Sequence, residues 1–178
     1  MNKAGGVLGY IATIIVLISV LSSCGSSQID SPVRESRWHA DSNGWWYSTE
    51  SGYATGWTKI EGKWRYFDSA GYLKKGWQEI DGQWYYLSSN GTMLTGWQKI
   101  NNKWYFLQRN GVMKVGWMKW NDEWYLFGRS GAMATGWAKA YGRWFFLGED
   151  GKMHTSEWID GYWVDEDGAW VKGKTWNK

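Results

Sequence analysis

Along residues 56–155, short apolar segments alternate with short polar ones at a fixed interval. The apolar segments read WRYF, WYYL, WYFL, WYLF and WFFL, an aromatic composition with strong strand preference. Gly-Trp pairs stand at Gly56-Trp57, Gly76-Trp77, Gly96-Trp97, Gly116-Trp117 and Gly136-Trp137, a period of 20 with no slip. A second Trp follows each pair by seven residues, at Trp64, Trp84, Trp104, Trp124 and Trp144. Seven further on comes Gly71, Gly91, Gly111, Gly131 or Gly151, and two after that Leu73, Met93, Met113, Met133 or Met153. Self-similarity at a fixed period is the signature of a repeat array.

Each copy reads as a strand, a turn, a second strand and a connector. The stretches DSAG, SSNG, QRNG, GRSG and GEDG lie between apolar runs and end in Gly, which assigns them as the hairpin turns. A tighter connector carries Gly62, Gly82, Asn102, Asp122 and Gly142 at one equivalent position, the residue types that best tolerate a left-handed backbone. Within WYYL, Trp84 and Tyr86 face one way and Tyr85 and Leu87 the other. The fourth position is always apolar (Phe67, Leu87, Leu107, Phe127, Leu147) and is assigned to the interior. Arg65, where other copies carry Tyr or Phe, marks the second position as more exposed.

A single hairpin of this size is marginal in water, and stacking gives each copy a neighbour to pack against. The expected fold class is therefore all-β, a solenoid of stacked β-hairpins with about seven 20-residue repeats. The ends deviate as capping units do: Trp38, Trp45, Trp46 and Gly52 form a degenerate first copy, and Glu157-Trp158 with Trp163 a compressed last one. The array fills residues 37–178.

Composition narrows the function. Of 178 residues, 18 are Trp and 24 are Gly, while one is Pro and one is Cys. A net charge of +3 gives no basic surface for nucleic acid. One Cys excludes a disulfide framework and a cysteine-built zinc site, and two His, His39 and His154, leave little for a metal or catalytic cluster. Asp165-Glu166-Asp167 reads as an acidic turn, and no phosphate-binding loop, nucleophile elbow or cofactor motif is present in the sequence. These features argue against an enzyme and against any cofactor or resident metal.

The first 36 residues are of another kind. Val7 to Leu21 is uncharged and too short for a stable membrane span, which suits the apolar region of a signal peptide. It ends in Leu21-Ser22-Ser23-Cys24-Gly25, which resembles a bacterial lipobox. The expectation is a lipoprotein-type signal peptide over 1–23, lipidation at Cys24, and a flexible tether over 24–36.

The pattern GWxxxxGxWYYLxxxGxMxTGW, covering nearly all of residues 37–178, resembles the choline-binding (cell-wall-binding) repeats of Gram-positive surface proteins and cell-wall hydrolases. The resemblance implies a β-solenoid whose ligand, choline or phosphocholine on teichoic acid or a similar wall polymer, sits between successive repeats. Carried onto this sequence, it implies five cages. These are Trp57 and Trp64 closed by Trp84; Trp77 and Trp84 closed by Trp104; and Trp97 and Trp104 closed by Trp124. Trp117 and Trp124 closed by Trp144, and Trp137 and Trp144 closed by Trp163, complete the set. Met93, Met113, Met133 and Met153 are implied beside the cages. Trp120 stands where other copies have Ile or Ala and is expected to alter the shape of the fourth.

The chemistry has its own logic. A quaternary ammonium has no N–H to donate and favours dry contact, so the face of Trp suits it better than a carboxylate. The expected protein is a non-catalytic, extracytoplasmic surface protein anchored by its lipidated Cys24. Two other readings stand beside it: a carbohydrate-binding repeat module, since Trp faces also stack on sugars, and a purely structural spacer.

Overall fold

The computed structural model describes residues 35–175. The expected signal peptide, the lipidation site Cys24 and most of the expected tether lie outside them. Fifteen strands and no helix occupy the described residues.

The first unit is a three-stranded antiparallel sheet of β1 (Trp38–Asp41), β2 (Gly44–Thr49) and β3 (Gly52–Tyr53). Six two-stranded hairpins follow. Strands β4 (Gly56–Ile60) and β5 (Lys63–Phe67) make the second unit, and β6 (Gly76–Ile80) and β7 (Gln83–Leu87) the third. The fourth is β8 (Gly96–Ile100) with β9 (Lys103–Leu107), and the fifth β10 (Gly116–Trp120) with β11 (Glu123–Phe127). The sixth is β12 (Gly136–Ala140) with β13 (Arg143–Leu147), and the seventh the shorter pair β14 (Glu157–Ile159) and β15 (Tyr162–Val164). The described residues are thus all-β and built of repeated hairpins, as the periodicity requires.

The hairpin turns lie at the opposite end of each copy from where the loop chemistry places them. The strand ladder closes through the tight connector: Gly96↔Leu107 through Ile100↔Lys103 are paired across Asn101 and Asn102. Both of those residues are left-handed, at φ 48° and 62°, and Glu61-Gly62, Asp81-Gly82, Asn121-Asp122 and Tyr141-Gly142 repeat the pattern. Two consecutive positive-φ residues form the two-residue turn whose twist matches a strand pair, so the ladder grows from there. The four-residue loops instead fold on themselves. Asp68 Oδ1 accepts from the backbone N–H of Ala70 and Tyr72, and only the single bridge Phe67↔Leu73 follows. They connect successive hairpins.

One lane of side chains makes the interior. Phe67, Leu87, Leu107, Phe127, Leu147 and Val164 are fully buried, with Ile60, Ile80 and Ile100 beside them. Burying each such side chain contributes about 1.5–3 kcal/mol. Neighbouring units are joined by one recurring backbone bond. The N–H of Met93 donates to the carbonyl of Trp64 at 2.8 Å, as do Met113 to Trp84, Met133 to Trp104 and Met153 to Trp124. The loop glycine of the following unit then seats on the Met: a Cβ at Gly111, where φ is 85°, would collide with the Met93 thioether. Only glycine permits both that backbone and that approach.

Candidate functional site

Strand pairing fixes which rings share a face. In the third unit Trp77 lies opposite Tyr86 and Glu79 opposite Trp84, so Trp77 and Trp84 are diagonal neighbours on one face. Their ring centroids are 6.3 Å apart at 74°. Trp97 and Trp104, and Trp117 and Trp124, repeat that distance at 85° and 90°. Each pair forms two walls of a concave corner.

The third wall comes from the next unit, and it is not the expected Trp. Tyr85 reaches Trp57 at 4.9 Å, Tyr105 reaches Trp77 at 4.9 Å and Tyr125 reaches Trp97 at 5.0 Å. Phe145 reaches Trp117 at 4.9 Å and Tyr162 reaches Trp137 at 5.7 Å. Trp84, Trp104, Trp124 and Trp144 therefore do not close the preceding cage; each is a wall in its own unit. The reason is the alternation of the strand. The residue after the hairpin Trp points to the opposite face and looks back at the unit before. That signal was present in the sequence, since Trp84 and Tyr85 must face apart.

The lining residues follow from this arrangement. Trp57, Trp64, Tyr85 and Met93 surround the first cage, and Trp117, Trp124, Phe145 and Met153 the fourth. Met113 and Met133 hold the equivalent seam bonds at the second and third. The fifth is lined by Trp137, Trp144, Tyr162 and Trp170, so the missing Met is replaced by a ring. Trp163, expected there, instead packs on Trp158 at 5.4 Å. Trp120 does not line the fourth cage; it lies on Phe106 of the preceding unit at 5.2 Å and stays 42% exposed. The hairpin tryptophans Trp64, Trp84, Trp104, Trp124 and Trp144 are 40–44% exposed, which leaves their faces open to a ligand.

Both ends carry a cation of the chain itself. Trp38 and Trp45 stand 6.5 Å apart at 75°, the same corner as in the cages, with Leu73 in the Met place. The third-wall position holds Arg65, which is only 6% exposed, contrary to the exposed position that its substitution suggested. Its guanidinium lies 5.0 Å from the Trp38 ring, and Nη1 donates to the Ile60 carbonyl at 2.8 Å. An internal cation–π contact thus fills this corner. At the other end Lys174 Nζ stands 3.6 Å over the Trp163 ring.

The titratable groups form no reactive constellation among the described residues, and no set of three metal-capable side chains is found there. His39 stacks on Trp46 at 4.0 Å, where burial and then Arg37 push its pKa down. His154 Nδ1 lies 2.9 Å from Glu157. Asp165 accepts from the N–H groups of Asp167 and Ala169 and from Arg143, so it holds its own turn together. Burial raises the pKa of the Tyr125 hydroxyl.

A series of aromatic corners, each built across the seam between two units, recurs along a solenoid of stacked hairpins. Family profiles described as choline-binding repeat match residues 54–94, 74–116, 94–123 and 136–170, and one described as a cell wall binding repeat matches 115–133. The chain belongs to the choline-binding repeat family. Choline binding protein F from Streptococcus pneumoniae is 40% identical, with a TM-score of 0.73 over 76% of this chain and 47% of that one. CbpJ from Streptococcus pneumoniae TIGR4 is 36% identical, with a TM-score of 0.74 over 77% and 48%. CbpF in complex with ipratropium is 38% identical, with a TM-score of 0.70 over 78% and 48%. The chain thus spans about half the length of these solved structures. No curated protein sequence matches it.

Proposed function

We propose that the chain is a non-catalytic surface protein that binds choline groups of teichoic acid or a similar wall polymer through five inter-repeat cages. The observation that carries this reading is the recurrence of one corner five times, two Trp from one unit and an aromatic ring from the next. The relatives named choline binding proteins, at 36–40% identity, support it. The ligand walls are Trp57, Trp64 and Tyr85; Trp77, Trp84 and Tyr105; Trp97, Trp104 and Tyr125; Trp117, Trp124 and Phe145; and Trp137, Trp144 and Tyr162.

Each ring contributes about 0.5–2 kcal/mol of cation–π attraction and apolar burial. Three rings give about 1.5–6 kcal/mol, a range that brackets the roughly 4 kcal/mol of a millimolar site, so a single cage binds weakly. Several such sites facing a polymer that repeats the ligand convert weak contacts into avidity. A lipid on Cys24, followed by the tether at 24–36, would hold the array at the outer membrane face within reach of the wall.

Retention on a diethylaminoethyl resin with elution by free choline tests the reading. Failure to bind that resin, or retention on a glucan column without release by choline, overturns it.

A further inference from the structure

The cages differ where a third unit borders them. The first is edged by Arg109 and Asn110, from the loop two units further on. The fourth is edged at the corresponding loop by Glu166 and Asp167. All four are exposed. Arg109, Glu166 and Asp167 form no ion pair among the described residues. Arg143 also borders the fourth cage, 6.0 Å from the Phe145 ring, but Asp165 holds it at 2.9 Å. Lys59 and Lys119 hold equivalent positions opposite Trp64 and Trp124, and Asp122 pairs Lys119 at 3.2 Å. At the loop rims the two cages differ by one guanidinium against two carboxylates, none of them ion-paired among the described residues.

We propose that the first cage selects phosphocholine, through Arg109, while the fourth selects the bare choline cation, through Glu166 and Asp167. This rests on the choline-cage reading above. With the trimethylammonium against the rings, the phosphate two carbons away must point outward to the rim. There the guanidinium fork donates paired N–H bonds to phosphate oxygens, and the Asn110 amide adds a neutral donor. At the fourth cage the same phosphate meets like charge, whereas a lone ammonium gains from both carboxylates. The 20-residue period carries Arg129 to the second rim and Glu149 to the third. The contrast is muted there, because Glu79 lies opposite Trp84 and Lys99 is 5.9 Å from the Trp104 ring.

The test uses the full chain labelled with 5-fluorotryptophan, the Trp57 and Trp117 resonances being assigned by single Trp→Phe replacements. Choline chloride and phosphocholine are titrated separately. The Trp57 signal is expected to saturate at about 1.5- to fivefold lower phosphocholine than choline, the range of an exposed charge pair, and the Trp117 signal in the reverse order. Arg109→Gln should abolish the preference at Trp57, raising its phosphocholine midpoint to that of choline or above, while the midpoints at Trp117 stay as they are. Glu166→Gln with Asp167→Asn should abolish the preference at Trp117. A choline-to-phosphocholine ratio equal at both cages, or unaltered by Arg109→Gln, overturns the proposal and leaves the cage reading intact. If neither ligand moves any tryptophan signal, the cage reading fails and the proposal with it.

Discussion

Replacing Trp104 separates the two ways in which the cages could share walls. Were Trp104 to close the second cage as well as build the third, Trp104→Ala would damage both. In the structure Trp104 faces Trp97 at 6.3 Å, while Trp77 of the second cage is met by Tyr105 at 4.9 Å. Trp104 is 41% exposed, so its truncation should disturb the fold little. Losing one ring removes about 0.5–2 kcal/mol, a twofold to thirtyfold weakening at one site. In a fluorotryptophan titration with choline, the Trp97 midpoint should rise by that factor and the Trp77 midpoint should stay. Tyr105→Ala should do the converse, raising the Trp77 midpoint and sparing Trp97. A Trp77 midpoint that shifts with Trp97 in the Trp104→Ala protein would refute the geometry.

Arg65→Tyr should empty the corner of Trp38 and Trp45 and supply its third ring, adding one choline site to the count obtained by equilibrium dialysis. An unchanged count would mean that Arg65 is not what occupies that corner. Gly111→Ala combines a left-handed backbone with a collision at Met93 and should destabilise the fold by about 1–3 kcal/mol, read from chemical unfolding. Cys24→Ser should move the protein from the membrane fraction to the soluble fraction; retention at the wild-type level would end the lipid-anchor reading.

The period, the number of units and the buried lane were legible because each is a property of one position repeated. Phe67, Leu87, Leu107, Phe127 and Leu147 recur as apolar residues, and all are buried. Both linkers carry turn residues, so composition alone points to the wrong one as the hairpin turn. What distinguishes Asn101-Asn102 from DSAG is two successive left-handed residues against one, a backbone property that composition only hints at. The third wall is hidden in the sequence for a related reason. Spacing reveals which residues are equivalent, but which face meets the neighbouring unit depends on strand alternation, and that selects Tyr85 over Trp84. Arg65 looked like a surface substitution because it is charged. Its burial depends on the Trp38 face and the Ile60 carbonyl, two partners from different units.

The backbone bond from each Met to the Trp carbonyl of the unit before is the same at four successive junctions. Any copy therefore fits after any other, and a genetic exchange that drops or duplicates 20 residues rejoins the chain without a mismatched edge. Such an event changes the number of binding corners by one and alters only those whose third wall or rim crosses the new junction. Valency in this architecture is inherited as a length, adjustable by recombination in whole steps with no redesign of a site.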